Sequence, residues 1–127
     1  MSTITVTNIQ ATGETASRAV SGVAAAWVNF DATGTPSSRD SVNFSSITDN
    51  AAGDFTLNWS NNMSDANYSV TGTTKSFSTS STSTCAIGIK ESTLPSAASV
   101  TMTTNRTSST STVESNINFA VAHGDLA

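Results

Sequence analysis

The sequence predicts an all-β protein: an antiparallel β-sandwich of about eight short strands, preceded by an N-terminal arm. Three observations carry this reading. Apolar and polar residues alternate in Asn29-Phe30-Asp31, Asp54-Phe55-Thr56-Leu57-Asn58-Trp59 and Asn67-Tyr68-Ser69-Val70, the period of a strand with one oily and one wet face. Both tryptophans, the single tyrosine and three of the five phenylalanines lie between Trp27 and Val70, so the core starts there. Turn residues punctuate the chain at intervals short enough for a sandwich or barrel.

In chain order, Thr3-Ile4-Thr5-Val6-Thr7-Asn8-Ile9 reads as a strand, and residues 10–22 as a linker or one helical turn. Residues 1–22 together form an expected arm or anchor, leaving residues 23–127 as the sandwich. Val23 to Asp31 is the first core strand, where Trp27 to Phe30 outweigh the helical leaning of Ala24-Ala25-Ala26. Residues 32–38, with Gly34 and Pro36, form a turn. Arg39 to Ile47 is the second strand, and residues 48–53 connect it to a partner at Asp54 to Ser60, with Gly53 suited to a positive φ. A strand over Ala66 to Thr71 follows. These four aromatic segments are expected to form one sheet. Gly72 to Thr84 is a polar loop, Cys85 to Ile89 a strand, and Pro95 a breaker. Ala98 to Thr103 is a strand, Asn105 to Thr112 a second polar loop, and Ile117 to Val121 the last strand.

The 127 residues suit one domain with one core. Roughly a third are Ser or Thr, and Leu, Ile, Val and Phe together fall below the roughly one-fifth level that marks disorder when joined to high charge. The net charge is only −4, and the alternation is clear, so the chain folds. Its core is thin for the entropy it must offset. Self-association is therefore expected to complete the burial.

Charged residues make up 11% of the chain, with no basic patch, which argues against nucleic-acid binding. The opening Met1-Ser2-Thr3-Ile4-Thr5 lacks the pattern of a signal peptide. No apolar run approaches the roughly 20 residues of a membrane span, so no membrane insertion is expected. Cys85 stands alone and alternates with Ile87 and Ile89, as a small core hydrophobe would. His123 reads as a surface or interface histidine, and a Cys85–His123 dyad has no local signature behind it. Asp31, Asp40, Asp49, Asp54 and Asp65 flank strands and turns, where turn chemistry explains them without a paired-acid glycosidase site. Asp49, Asn50 and Asp54 surround one loop and offer oxygen ligands for Ca²⁺, without EF-hand spacing. Five Asn-X-Ser/Thr sequons, at Asn43, Asn58, Asn62, Asn67 and Asn105, follow from composition. The expectation is a non-enzymatic protein with no catalytic residue, metal or cofactor.

Binding and assembly remain. Short neutral hydroxyl and amide side chains pair with sugar hydroxyls at little entropic cost. The two polar loops are the parts freest to vary, which nominates Thr74, Lys75, Ser76, Phe77, Asn105 and Arg106 as receptor contacts. In the arm, Ile4, Val6, Ile9 and Val20 are the apolar residues available for assembly.

Several segments resemble fibre proteins of marine tailed bacteriophages. They are Met1-Ser2-Thr3-Ile4, Ile9 through Val20, Ala26-Trp27-Val28-Asn29-Phe30, Thr33-Gly34-Thr35 and Arg39-Asp40-Ser41. Ser45 through Asn50, Gly53-Asp54-Phe55 and Asp65 through Val70 extend the likeness, and Asn118-Phe119-Ala120-Val121 carries a faint echo of it. The resemblance implies a virion structural protein assembled in the host cytoplasm. It would be a trimeric β-domain of a tail fibre or receptor-binding protein, contacting host-surface glycan and joined to other virion proteins through its arm. A capsid decoration protein or head fibre is the alternative, and a cell-surface glycan hydrolase a more distant one.

Overall fold

A computed structural model describes residues 5, 8–9, 18–19, 23–75, 85–107 and 111–127. Two residue pairs come first: β1 (Asn8–Ile9) lies antiparallel to β2 (Arg18–Ala19). The linker expected over residues 10–22 thus carries a strand pairing near its end. The rest of the strand expected over 3–9 lies outside the described residues, apart from Thr5, which is not in a strand.

Eight strands then build two four-stranded antiparallel sheets. They are β3 (Ala24–Asp31), β4 (Ser37–Val42), β5 (Phe44–Ala51), β6 (Asp54–Trp59), β7 (Ser69–Thr74), β8 (Cys85–Ile89), β9 (Ser99–Arg106) and β10 (Asn118–His123). Sheet I has the order β4-β3-β10-β7 and sheet II the order β5-β6-β9-β8. The edge strands β7 and β8 meet along one side, and β4 runs into β5 along the other. The all-β sandwich read from the sequence is what the chain adopts.

Two expectations are corrected. The aromatic segments do not share one sheet: β3, β4 and β7 belong to sheet I, β5 and β6 to sheet II. The run Arg39 to Ile47 is two strands, because Asn43 between them takes a positive φ of 52° and turns the chain from one sheet to the other. Asparagine tolerates that region better than most residues. Its side chain fixes the corner, since Asn43 Oδ1 accepts from the Asn61 backbone N–H at 2.7 Å and Asn43 Nδ2 donates to the Asn61 carbonyl at 3.1 Å.

The core lies between the sheets. Ala26, Val28 and Phe30 of β3 and Ala120 and Ala122 of β10 face Phe55, Leu57 and Trp59 of β6 and Val100 and Met102 of β9. Phe30 and Phe55 meet edge to face across the gap, with centroids 4.9 Å apart. Each such side chain contributes about 1.5–3 kcal/mol on burial. Among the described residues thirteen apolar side chains are buried, and four of them are alanine, so the core is as thin as composition implies.

The registers assign every connection to an end of the sandwich. Asn118 lies opposite Phe30 and Thr74, while His123 lies opposite Ala24 and Ser69. One end, the loop end, therefore carries the β3–β4 turn, the β5–β6 turn, both ends of the β7–β8 connection and the β9–β10 connection. The other, the entry end, carries Val23, the Asn43 corner, the β6–β7 and β8–β9 connections and the chain after His123.

Candidate functional site

At the loop end, three segments are tied by one buried polar knot. Asn118 continues the inward row of Ala120 and Ala122 and is fully buried. Its Nδ2 donates to the Ser115 carbonyl at 2.7 Å and, at 3.5 Å, to the Phe30 carbonyl, while its Oδ1 accepts from Thr74 Oγ1 at 2.7 Å. Ser115 Oγ donates to the Ile117 carbonyl at 3.2 Å, and the Ala32 N–H donates to the Ser115 carbonyl at 3.0 Å. Lys75 N–H reaches the Ile117 carbonyl at 2.9 Å. The start of the β3–β4 turn, the end of β7 and residues 115–118 are thereby held together, as a satisfied buried network holds its members. The sequence signal was available: an asparagine stands where the alternation Asn118-Ala120-Ala122 calls for an apolar residue.

Around the knot, the Asp31 carboxylate accepts from Thr33 Oγ1 at 2.6 Å, the Thr33 N–H at 2.9 Å and Arg39 Nη2 at 2.9 Å. The Thr33 hydroxyl is the chief reason its pKa lies below the ordinary 3.8, with the Thr33 N–H and the Arg39 charge adding to it. Glu114 Oε2 accepts from the Gly34 N–H at 3.3 Å. Gly53, with φ of 68°, supplies the positive-φ turn expected of it, and a Cβ there would stand 2.6 Å from the Val113 carbonyl oxygen.

The nominated contacts fall as follows. Lys75 is exposed at the loop end. Thr74 is half-buried, with its hydroxyl turned inward into the knot. Asn105 and Arg106 are residues of β9 rather than of a loop, because β9 continues to pair with β8 as far as Arg106 opposite Cys85. Asn105 Nδ2 donates to Thr103 Oγ1 at 3.2 Å. Thr74, Lys75 and Arg106 thus gather at one end. Ser76 and Phe77 lie outside the described residues, as do Ile4, Val6 and Val20 of the arm; Ile9 is in β1.

The other sequence candidates resolve differently. Cys85 starts β8 at the loop end, while His123 closes β10 at the entry end in the other sheet. With five or six residues of strand between those levels, on the order of 15 Å, they form no dyad. The Asp54 carboxylate is held by Lys90 Nζ at 2.5 Å and by Asn50 Nδ2 at 3.1 Å, so that acid is paired with a lysine ammonium. Among the described residues no three His, Cys, Asp or Glu side chains are grouped to hold a metal ion. A cavity of about 180 Å³ opens at the entry end, where Asp65, Tyr68, His123 and Asp125 contribute to the wall. Asp65 there accepts from the Asn67 N–H at 2.7 Å, a turn contact of the kind expected.

The two outer faces differ in kind. On sheet II, Thr56 Oγ1 and Thr101 Oγ1 share a hydrogen bond of 2.9 Å, and Asn58 Nδ2 donates to Thr48 Oγ1 at 3.1 Å and Ser46 Oγ at 3.2 Å. Asn50 Nδ2 also reaches Thr56 Oγ1 at 3.1 Å. The hydroxyls and amides of that face satisfy one another. On sheet I, Val42, Trp27, Val121 and Thr71 stand directly across the four strands in one row, and Asp40, Asn29, Phe119 and Thr73 in the next.

Fold and site together define a β-sandwich that presents a braced loop platform at one end. Comparison with known proteins found no matching family model, no matching curated protein and no matching solved structure.

Proposed function

We propose that this chain is a structural protein of a bacteriophage virion: the β-domain of a tail fibre or receptor-binding protein, acting as a homotrimer and contacting host-surface glycan without catalysis. The segment before β3 joins the sandwich at one end, and the polar loops leave from the other. That polarity carries the reading. A domain held to other virion proteins through residues 1–22 would turn its loop platform outward. The neutral Ser/Thr/Asn surface and the thin core support it further, the first as a partner for sugar hydroxyls, the second as a reason to assemble. Three platforms around one axis would multiply weak sugar contacts through effective concentration.

The test replaces residues 76–84 with a Gly-Ser linker of equal length and measures adsorption of assembled particles to host cells. Adsorption falling at least tenfold with normal particle yield is the expected result. Unchanged adsorption would leave the platform a spacer and overturn the receptor-contact role. Immunogold labelling places the chain on the particle; label on the capsid rather than the fibre would favour a decoration protein or head fibre.

A further inference from the structure

We propose that copies of this chain meet through the outer face of sheet I, with Trp27 as the central anchor. This rests on the self-assembling reading above and deepens it by naming the surface. Both inner faces are spent on the core, and the outer face of sheet II is closed by its own hydrogen bonds. The outer face of sheet I has no such closure. Trp27 and Val121 are half-buried side by side on the two central strands, flanked by Val42 at 48% and Phe119 at 42% exposure. In the second row the amide oxygen of Asn29 is buried with no hydrogen-bond partner.

Size and charge point to an identical copy as the occupant. Four strands at about 4.8 Å spacing and up to eight residues at about 3.3 Å rise give an outline of roughly 19 by 26 Å. With its side chains the accessible area of such a face approaches the ~800 Å² that each partner contributes to a standard stable interface. The two central rows hold one ionisable side chain, Asp40, on the edge strand β4; beyond them, towards the loop end, Asp31 is paired with Arg39. Asp40 Oδ1 already accepts from the Ser41 N–H at 2.8 Å. Copies gathered about a common axis with this face turned inward would set apolar centre against apolar centre, with the like charges left at the rim where water screens them. A large aromatic at the centre of such a patch is the usual energetic anchor.

The experiment is sedimentation velocity of the full chain at 1–50 µM, for wild type, Val42→Lys/Phe119→Lys and the sheet II control Thr48→Lys. Val42 and Phe119 are exposed, so the double variant should fold, as far-UV circular dichroism will report. The expected result is an oligomeric wild type and control, and a folded double variant dissociating at a concentration at least tenfold higher than wild type. A double variant that keeps the wild-type oligomer would overturn the assigned surface while leaving self-assembly standing. A monomeric wild type would overturn both. Acrylamide quenching of Trp27 in a Trp59→Phe background gives the second readout. Accessibility should rise severalfold on dilution from oligomer to monomer; Trp27 equally shielded in both would mean something other than a second copy covers the face.

Discussion

Replacing Asn118 by alanine tests the knot that braces the loop end. The substitution removes two well-formed hydrogen bonds, to the Ser115 carbonyl at 2.7 Å and from Thr74 Oγ1 at 2.7 Å, each worth about 1 kcal/mol net. The partners are only partly abandoned. Ser115 keeps the Ala32 N–H on its carbonyl, and Thr74 Oγ1 lies 3.5 Å from the Ile117 carbonyl. The added desolvation penalty therefore sits near the lower end of its usual range, about 1 kcal/mol. The expected loss is about 3 kcal/mol. A domain of about 100 residues has an unfolding entropy near 0.2 kcal/mol/K, which makes this a fall in Tm of roughly 14 °C. Thermal unfolding followed by circular dichroism at fixed protein concentration measures it. A parallel Thr74→Val variant and the double variant close a cycle, in which the shared bond should appear as a coupling of about 1 kcal/mol. A fall of less than about 4 °C, or strictly additive single effects, would refute the reasoning that Asn118 holds β7 to the β9–β10 connection.

Thr104 is fully buried on β9, and its hydroxyl has no partner; Thr104→Val removes a desolvated group at nearly constant volume and should raise stability by about 1 kcal/mol in urea denaturation. Gly53→Ala should lower it by at least about 2 kcal/mol, the positive φ alone costing 1–2 and the Val113 backbone having to move besides. Asp31 binds its proton less readily folded than unfolded, so its contribution is present above pH 3.8 and is lost as pH falls through the lower folded value. Asp31→Asn should therefore cost below about 1 kcal/mol at pH 7, because the Arg39 pair is partly exposed, and progressively less as the pH falls below 3.8. Tyr68 runs the opposite way: burial raises its pKa above 10.0, so stability should decline as pH climbs past 10, and Tyr68→Phe should flatten that decline.

Strand alternation made the sandwich legible. Phe55, Leu57 and Trp59 face inward while Thr56 and Asn58 face outward, and β8 falls on Cys85–Ile89 as the pattern places it. What a period of two cannot show is where a chain changes sheets. Asn43 sits inside an apparently continuous run, and only its positive φ divides β4 from β5. The polar loops were over-extended for a related reason. Thr73, Thr74, Asn105 and Arg106 look like loop residues by composition, yet ladder hydrogen bonds belong to the backbone and are indifferent to a polar side chain. Thr74 and Asn118 were hidden most deeply, because their partnership joins residues 44 apart in the chain.

The same composition explains why the two outer faces diverged. Thr, Ser and Asn on adjacent strands sit close enough to hydrogen-bond one another, so a sheet covered with them can close its own polar surface, as Thr56 with Thr101 and Asn58 with Thr48 do. Trp27, Phe119 and Val121 have no comparable way to satisfy themselves; apolar surface is relieved only by cover. With alanines filling four of the thirteen buried apolar positions, the large side chains that would thicken the core are instead turned outward on sheet I. The position of Trp27 on the opposite face is the observation from which we propose a second copy as its cover.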